Sequence, residues 1–182
     1  MNITTASKVL HHWDKRGRRV FTRRDLARLF PDDSPKALTL GLARLTEKGL
    51  LERACRGVYV NPLAASANSR TLEQIAVAMR RGEYNYLSLE SMLSEYGIIS
   101  QIPLDRLTVM TTGRKGVYRT PWGVIEFTHT ARPVEAILDG STVTAERPLR
   151  LATPHTAWRD LKRVGRNLEL VDQEALNDEP RG

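Results

Sequence analysis

Apolar positions in the first sixty residues repeat with helical spacing and then switch to short strand-like runs. Val9, Leu10 and Trp13 share one face of a segment spanning 4–16, which reads as a helix capped by Thr4 or Thr5 and stopped at Gly17. A second helix begins after Phe21. Thr22 and Asp25 fit a capping box, and Leu26, Leu29 and Phe30 form its buried side. A third begins at Ser34-Pro35. Leu38, Leu42 and Leu45 recur at i, i+4, i+7, and Gly49 supplies the left-handed stop. Leu50, Leu51 and Val58-Tyr59-Val60 then predict a hairpin with Cys55-Arg56-Gly57 at its tip, and Pro62 ends the second strand. Helix, helix, turn, helix, hairpin is the order of a winged helix-turn-helix.

Residues 63–71 are small and polar and predict a connector. A helix over 71–81 follows, with Leu72, Ile75, Ala76 and Met79 as its stripe. Asn85-Tyr-Leu predicts a short strand, and Ser88 caps a helix holding Leu89, Met92, Leu93 and Tyr96. Strand patterns cover 107–111, 116–120 and 123–129, with a turn at Pro121-Trp122-Gly123. Thr153-Pro154 opens a last helix with Ala157, Trp158, Leu161 and Val164 inward and Gly165 as its stop. The expected fold class is α+β: a winged helix-turn-helix over 1–63, a small mixed α+β domain over 71–165, and a tail over 166–182 whose last residues are disordered. Leu89, Leu93, Val109, Ile125, Phe127, Trp158 and Leu161 are the expected second core.

Charge sharpens this division. The chain of 182 residues carries a formal net charge of +7. Residues 1–63 hold 13 Lys and Arg against 6 Asp and Glu, and the remainder holds 15 of each sign. The whole excess therefore coincides with the winged helix pattern, which is the electrostatic footprint of a nucleic-acid binder. With Leu38, Leu42 and Leu45 inward, the third helix turns Lys36, Thr39, Leu40 and Arg44 outward. These are the expected readers of base edges: lysine and arginine for guanine, Leu40 for a thymine methyl. Arg18, Arg19, Thr22, Arg23 and Arg24 are the expected phosphate contacts at the start of the second helix, and Arg56 is one at the wing tip. The expected partner is double-stranded DNA.

Catalysis and cofactors are not expected. His11, His12, His129 and His155 lack metal-ligand spacing, and one cysteine, Cys55, provides neither a disulfide nor a multi-cysteine metal site. No phosphate-cradling Gly-x-x-x-x-Gly-Lys loop occurs. Thr111-Thr-Gly-Arg-Lys-Gly116 is a polar, basic loop that could touch an anion, but it reads first as a plain solvated loop. No apolar run approaches the ~20 residues of a membrane span, and the N-terminal stretch does not read as a signal peptide, so a cytoplasmic location is expected.

Four stretches resemble the AbiEi family of antitoxins from type IV toxin–antitoxin systems. The first combines Phe21-Thr-Arg-Arg-Asp-Leu26, Leu42-Ala-Arg-Leu-Thr-Glu-Lys-Gly-Leu-Leu-Glu-Arg53 and Arg56-Gly-Val-Tyr-Val-Asn-Pro62. The second runs from Tyr86 to Gln101. The third is Gly123-Val-Ile-Glu-Phe-Thr-His129. The fourth is Leu151-Ala-Thr-Pro-His-Thr-Ala-Trp-Arg-Asp-Leu161, where His155 and Thr156 replace the family's Glu-Lys. Together they extend over about residues 4–165. The resemblance implies a repressor of its own operon that binds promoter repeats and counters a nucleotidyltransferase toxin encoded beside it. It assigns DNA binding to the N-terminal part and antitoxicity to the second domain. The reading from residues alone leaves a second possibility, a stand-alone winged-helix regulator whose second domain binds a ligand or protein.

Overall fold

The computed structural model describes residues 1–100 and 105–178, which form two compact units that divide after Met79. The first unit opens with α1 (Ile3–Asp14), whose cap is Asn2: its side chain accepts from the Thr5 backbone N–H at 2.7 Å, a role expected of Thr4 or Thr5. Strand β1 (Val20–Thr22) leads directly into α2 (Arg23–Leu29), where Thr22 and Asp25 form the expected capping box. Helix α3 (Pro35–Glu47) is capped by Ser34 and buries Leu38, Leu42 and Leu45. Strands β2 (Glu52–Cys55) and β3 (Val58–Val60) make the hairpin, with a bulge between Arg53 and Cys55 and a left-handed Gly57 (φ +79°) in its turn. Strand β1 joins the hairpin on the far side of β3, giving the antiparallel order β1-β3-β2. Ala6, Leu10, Phe21, Leu26, Phe30 and the three α3 leucines pack into one core.

Helix α4 (Thr71–Met79) corrects the expected boundary. It packs on β1 and β3 and lies within the first unit, which divides from the second after Met79. The connector is fixed by two buried charges. Arg19, only 3% exposed, donates to the Asn68 carbonyl (3.0 Å), to Gln74 Oε1 (3.1 Å) and to the Thr71 hydroxyl. Asp14 accepts from the backbone N–H groups of Ala65 (2.8 Å) and Ser66 (3.1 Å) and from the Ser66 hydroxyl (2.5 Å). Burial lowers the proton affinity of Arg19, while the Ser66 hydroxyl bond leads the interactions that hold Asp14 below the usual carboxylate range.

The second unit is a six-stranded mixed sheet with helices. Its elements are β4 (Asn85–Leu87), α5 (Leu89–Glu95), β5 (Arg106–Thr111), β6 (Gly116–Thr120), β7 (Gly123–His129), α6 (Val134–Asp139), β8 (Ser141–Thr142), β9 (Arg150–Ala152), α7 (Pro154–Val164), a 3-10 turn (Leu168–Leu170) and α8 (Gln173–Asp178). The strand order is β6-β7-β5-β4-β9-β8, with β5 parallel to β7 and β4 parallel to β9. Leu89, Leu93, Val109, Ile125, Phe127 and Leu161 are buried as expected. Trp158 is only half-buried and carries the Lys162 ammonium 5.2 Å from its ring centre, which corrects its place in the core.

Two polar networks fix the second unit. Asp160, fully buried, accepts from the hydroxyls of Tyr86 (3.0 Å) and Ser88 (2.8 Å), with the Arg132 guanidinium 2.8 Å away. Ser88 is thereby diverted from the capping bond expected of it: its side chain makes none to α5. Burial, followed by the Asp160 charge, raises the Tyr86 phenol well above its usual range. In the second network Arg166 forks onto Glu90 (2.6 and 3.1 Å) and reaches Glu126 (2.5 Å), which also accepts from Arg106 (2.7 Å). The expected tail takes part in the unit. Val171 bridges to Ile99, Leu176 is buried, and residues 179–182, on which the disorder expectation falls, lie outside the described residues.

Candidate nucleic-acid interface

The outward face of α3 follows from its inward one. With Leu38, Leu42 and Leu45 buried, Lys36, Thr39, Leu40, Ala43, Arg44 and Glu47 are exposed. Leu40 is 58% exposed, unusual for a leucine within a helix. The four expected readers therefore share one accessible helix surface. Two of them already have partners. Arg44 donates to the Met1 carbonyl at 3.3 Å, and the Thr39 hydroxyl donates to the Pro35 carbonyl at 2.8 Å.

Arg23 ties the pieces together. Its backbone N–H donates to the Gly57 carbonyl in the wing turn at 2.8 Å. Its guanidinium reaches α3, donating to Thr39 Oγ1 at 2.8 Å and to the Pro35 carbonyl at 3.3 Å. One residue at the start of α2 thus fixes the wing turn and the first turn of α3 relative to each other. This brings exposed Arg24, Lys36 and Arg56 onto three connected elements.

Three expected phosphate contacts have other occupations. Arg18 pairs with the buried Asp25 carboxylate at 2.9 Å and lies over the rings of Trp13 and Phe21, each 5.3 Å away. Arg19 is the buried clamp of the connector. The Thr22 hydroxyl donates to Asp25 at 2.8 Å and accepts from the Asp25 N–H at 3.1 Å, so it serves the cap. In sequence Arg18 and Arg19 look like Arg23 and Arg24, two pairs of adjacent basic residues. What separates them is the position of Arg19 directly before β1, where its carbonyl accepts from the Asn61 N–H at 2.8 Å and its side chain reaches residues some fifty positions away, which no local pattern reports. The signal that was present is the small polar run 65–71, which supplies carbonyls and hydroxyls for a buried guanidinium.

Among the described residues no group of three or more His, Cys, Asp or Glu side chains is placed to hold a metal ion, and no helix is long and apolar enough to cross a membrane. Cys55, the one cysteine of the chain, is half-buried in the wing.

A three-helix core, an exposed third helix and a bulged hairpin beside it define the first unit as a winged helix-turn-helix. Residues 10–62 match the family model described as "Transcriptional regulator, AbiEi antitoxin". Over that segment the resemblance read from the sequence is borne out, and the stretches quoted from the second unit lie beyond the match. Comparison with curated proteins gives no match. Among solved structures, the crystal structure of the RV2827C protein from Mycobacterium tuberculosis is similar, with a TM-score of 0.56 and 16% sequence identity over 99% of this chain and 73% of that one. At this identity the likeness concerns the fold alone, which is α+β in both parts of the chain.

Proposed function

We propose that this protein is a DNA-binding transcriptional regulator of the antitoxin type. The reading rests on one coincidence: the whole +7 excess lies on the winged helix segment, whose third helix has an exposed face. Lys36, Leu40 and Arg44, with Thr39 at the edge, read base edges from the major groove. Arg23, Arg24 and Arg56 hold phosphates on either side. Arg18, Arg19 and Thr22 support these groups from within the fold. The family match over 10–62 supports an antitoxin role, in which the protein represses its own operon at promoter repeats and counters a neighbouring nucleotidyltransferase toxin.

The test is anisotropy with the intact chain on its own promoter and on random duplex across a salt series. Arg24→Ala is expected to weaken both duplexes alike and to lower the salt slope by about one. Lys36→Ala is expected to cost about 1–3 kcal/mol on the promoter and less on random DNA. Equal losses on the two duplexes for both variants would reject this orientation of α3. Absence of any shift at low salt would reject DNA binding itself.

A further inference from the structure

The second unit carries a basic pocket that the DNA-reading surface does not use. It lies where the parallel strands β5 and β7 both end, the edge at which open sheets with parallel strands hold their ligands. The loop 112–115 forms one wall, His129 at the end of β7 another, and Arg163 in the last turn of α7 a third. The cavity measures about 980 Å³ and is open to solvent. Arg114, Lys115, His129 and Arg163 line it and are all exposed.

The walls are held firmly while the charges are left outward. The Gly113 N–H donates to Thr111 Oγ1 at 3.0 Å, and the Gly113 carbonyl lies 2.9 Å from His129 Nδ1. The Arg114 carbonyl accepts from Arg80 Nε at 3.0 Å, and the Thr112 N–H donates to the Tyr84 carbonyl at 3.0 Å. Arg163 donates to the His129 carbonyl at 2.7 Å. The single acidic liner, Glu83, accepts from the Thr112 hydroxyl at 2.6 Å. A Cβ on Gly113 would stand 3.0 Å from Glu83 and 3.2 Å from Arg80, so the loop is packed against its support. Three permanent cations around one concavity repel one another, and a bound polyanion relieves that repulsion.

We propose that this pocket binds a polyphosphate chain, as carried by a nucleoside triphosphate or by free short polyphosphate. A compact anion fits better than a nucleic-acid strand. Residues 80–182 hold 14 basic and 14 acidic side chains, so the unit presents no net field along which a strand would track. Arg114, Lys115 and Arg163 cluster at this concavity, whose volume lies within the range of small-ligand sites.

Calorimetry on the intact chain at low salt, with tripolyphosphate and with ATP as separate probes, tests this. Saturable binding of either probe is expected. Arg114→Ala/Lys115→Ala and Arg163→Ala should each weaken it about tenfold or more. Arg119→Ala, which removes an exposed charge from β6 away from the pocket, should leave it unchanged. Tighter binding of ATP assigns the site to a nucleotide, and equal binding assigns it to the phosphate chain alone. Lack of saturation by both probes, or full retention in the Arg114/Lys115 variant with its fold intact by circular dichroism, overturns the proposal. So does an outcome in which those variants lose oligonucleotide binding while neither small anion binds. The DNA-reading function is tested on other residues, and its failure would leave this result standing.

Discussion

Two arginines five positions apart, Arg19 and Arg24, have opposite roles here, and substitution should separate them. Arg19 is buried with three partners, so Arg19→Ala takes this donor from Gln74 Oε1 and leaves the Asn68 carbonyl with the Thr71 hydroxyl in place of two donors. Loss of a buried, charge-assisted set of this kind costs about 1–3 kcal/mol. The expected result is a lower Tm for the first unit, with DNA affinity falling only as the fold is lost. Arg24→Ala, at an exposed site, should leave Tm unchanged and reduce DNA binding at every temperature. Glu90 provides a pH-dependent case. Burial pushes its carboxyl up, but the bonds from Arg166 and Asn167 outweigh this, and the net proton affinity is lowered. A carboxyl lowered on folding stabilises the native state above its unfolded pKa, and that contribution is lost as pH falls through the native value. Acid unfolding of the intact protein below about pH 4.5 should therefore be shallower in Glu90→Gln than in the wild type. Calorimetric scans between pH 7 and 3 measure it, and parallel pH slopes would count against the assignment.

At the scale of elements, local signals were legible and non-local ones were not. Ser34-Pro35, the Thr22/Asp25 box and the turn glycines mark α2, α3 and the wing unambiguously, because each acts within a few residues. Strand β1 has three residues and exists because β3 pairs with it; β9 also has three, β8 has two, and α6 has only six. The stripe on α4 was readable as apolar, but periodicity does not say which sheet a helix faces. For the candidate site, the exposed α3 face followed directly from the buried leucines. The fates of Arg18 and Arg19 did not, since they depend on Asp25 and on residues 68–74. The consequence for α4 is measurable. A fragment ending at 63 lacks the partners of both Arg19 and Asp14, whereas one ending at 79 retains them. Fragment 1–79 should unfold cooperatively, and 1–63 should melt at a clearly lower temperature. Equal melting temperatures would show α4 to be dispensable.

At the scale of the molecule, the two units divide charge as well as structure. If the antitoxin reading holds, residues 80–182 protect cells from the neighbouring toxin without repressing the promoter. Residues 1–79 should bind DNA and fail to protect. Colony formation with toxin induced, beside a promoter reporter, distinguishes the two activities. Protection by 1–79 alone would reduce antitoxicity to repression. The arrangement of β4 bears on how such fragments can be made. Its Tyr86 and Leu87 pair on one side with Met110 and Val109, and on the other with Arg150 and Leu151. On the ribosome the first partner emerges soon and the second only much later. During that interval one edge of a strand whose two large side chains, Tyr86 and Leu87, are buried in the finished fold is open to any other nascent chain. The rate at which translation delivers β9 thus sets how long the second unit is exposed to aggregation, and chains terminated before residue 150 carry that open edge permanently.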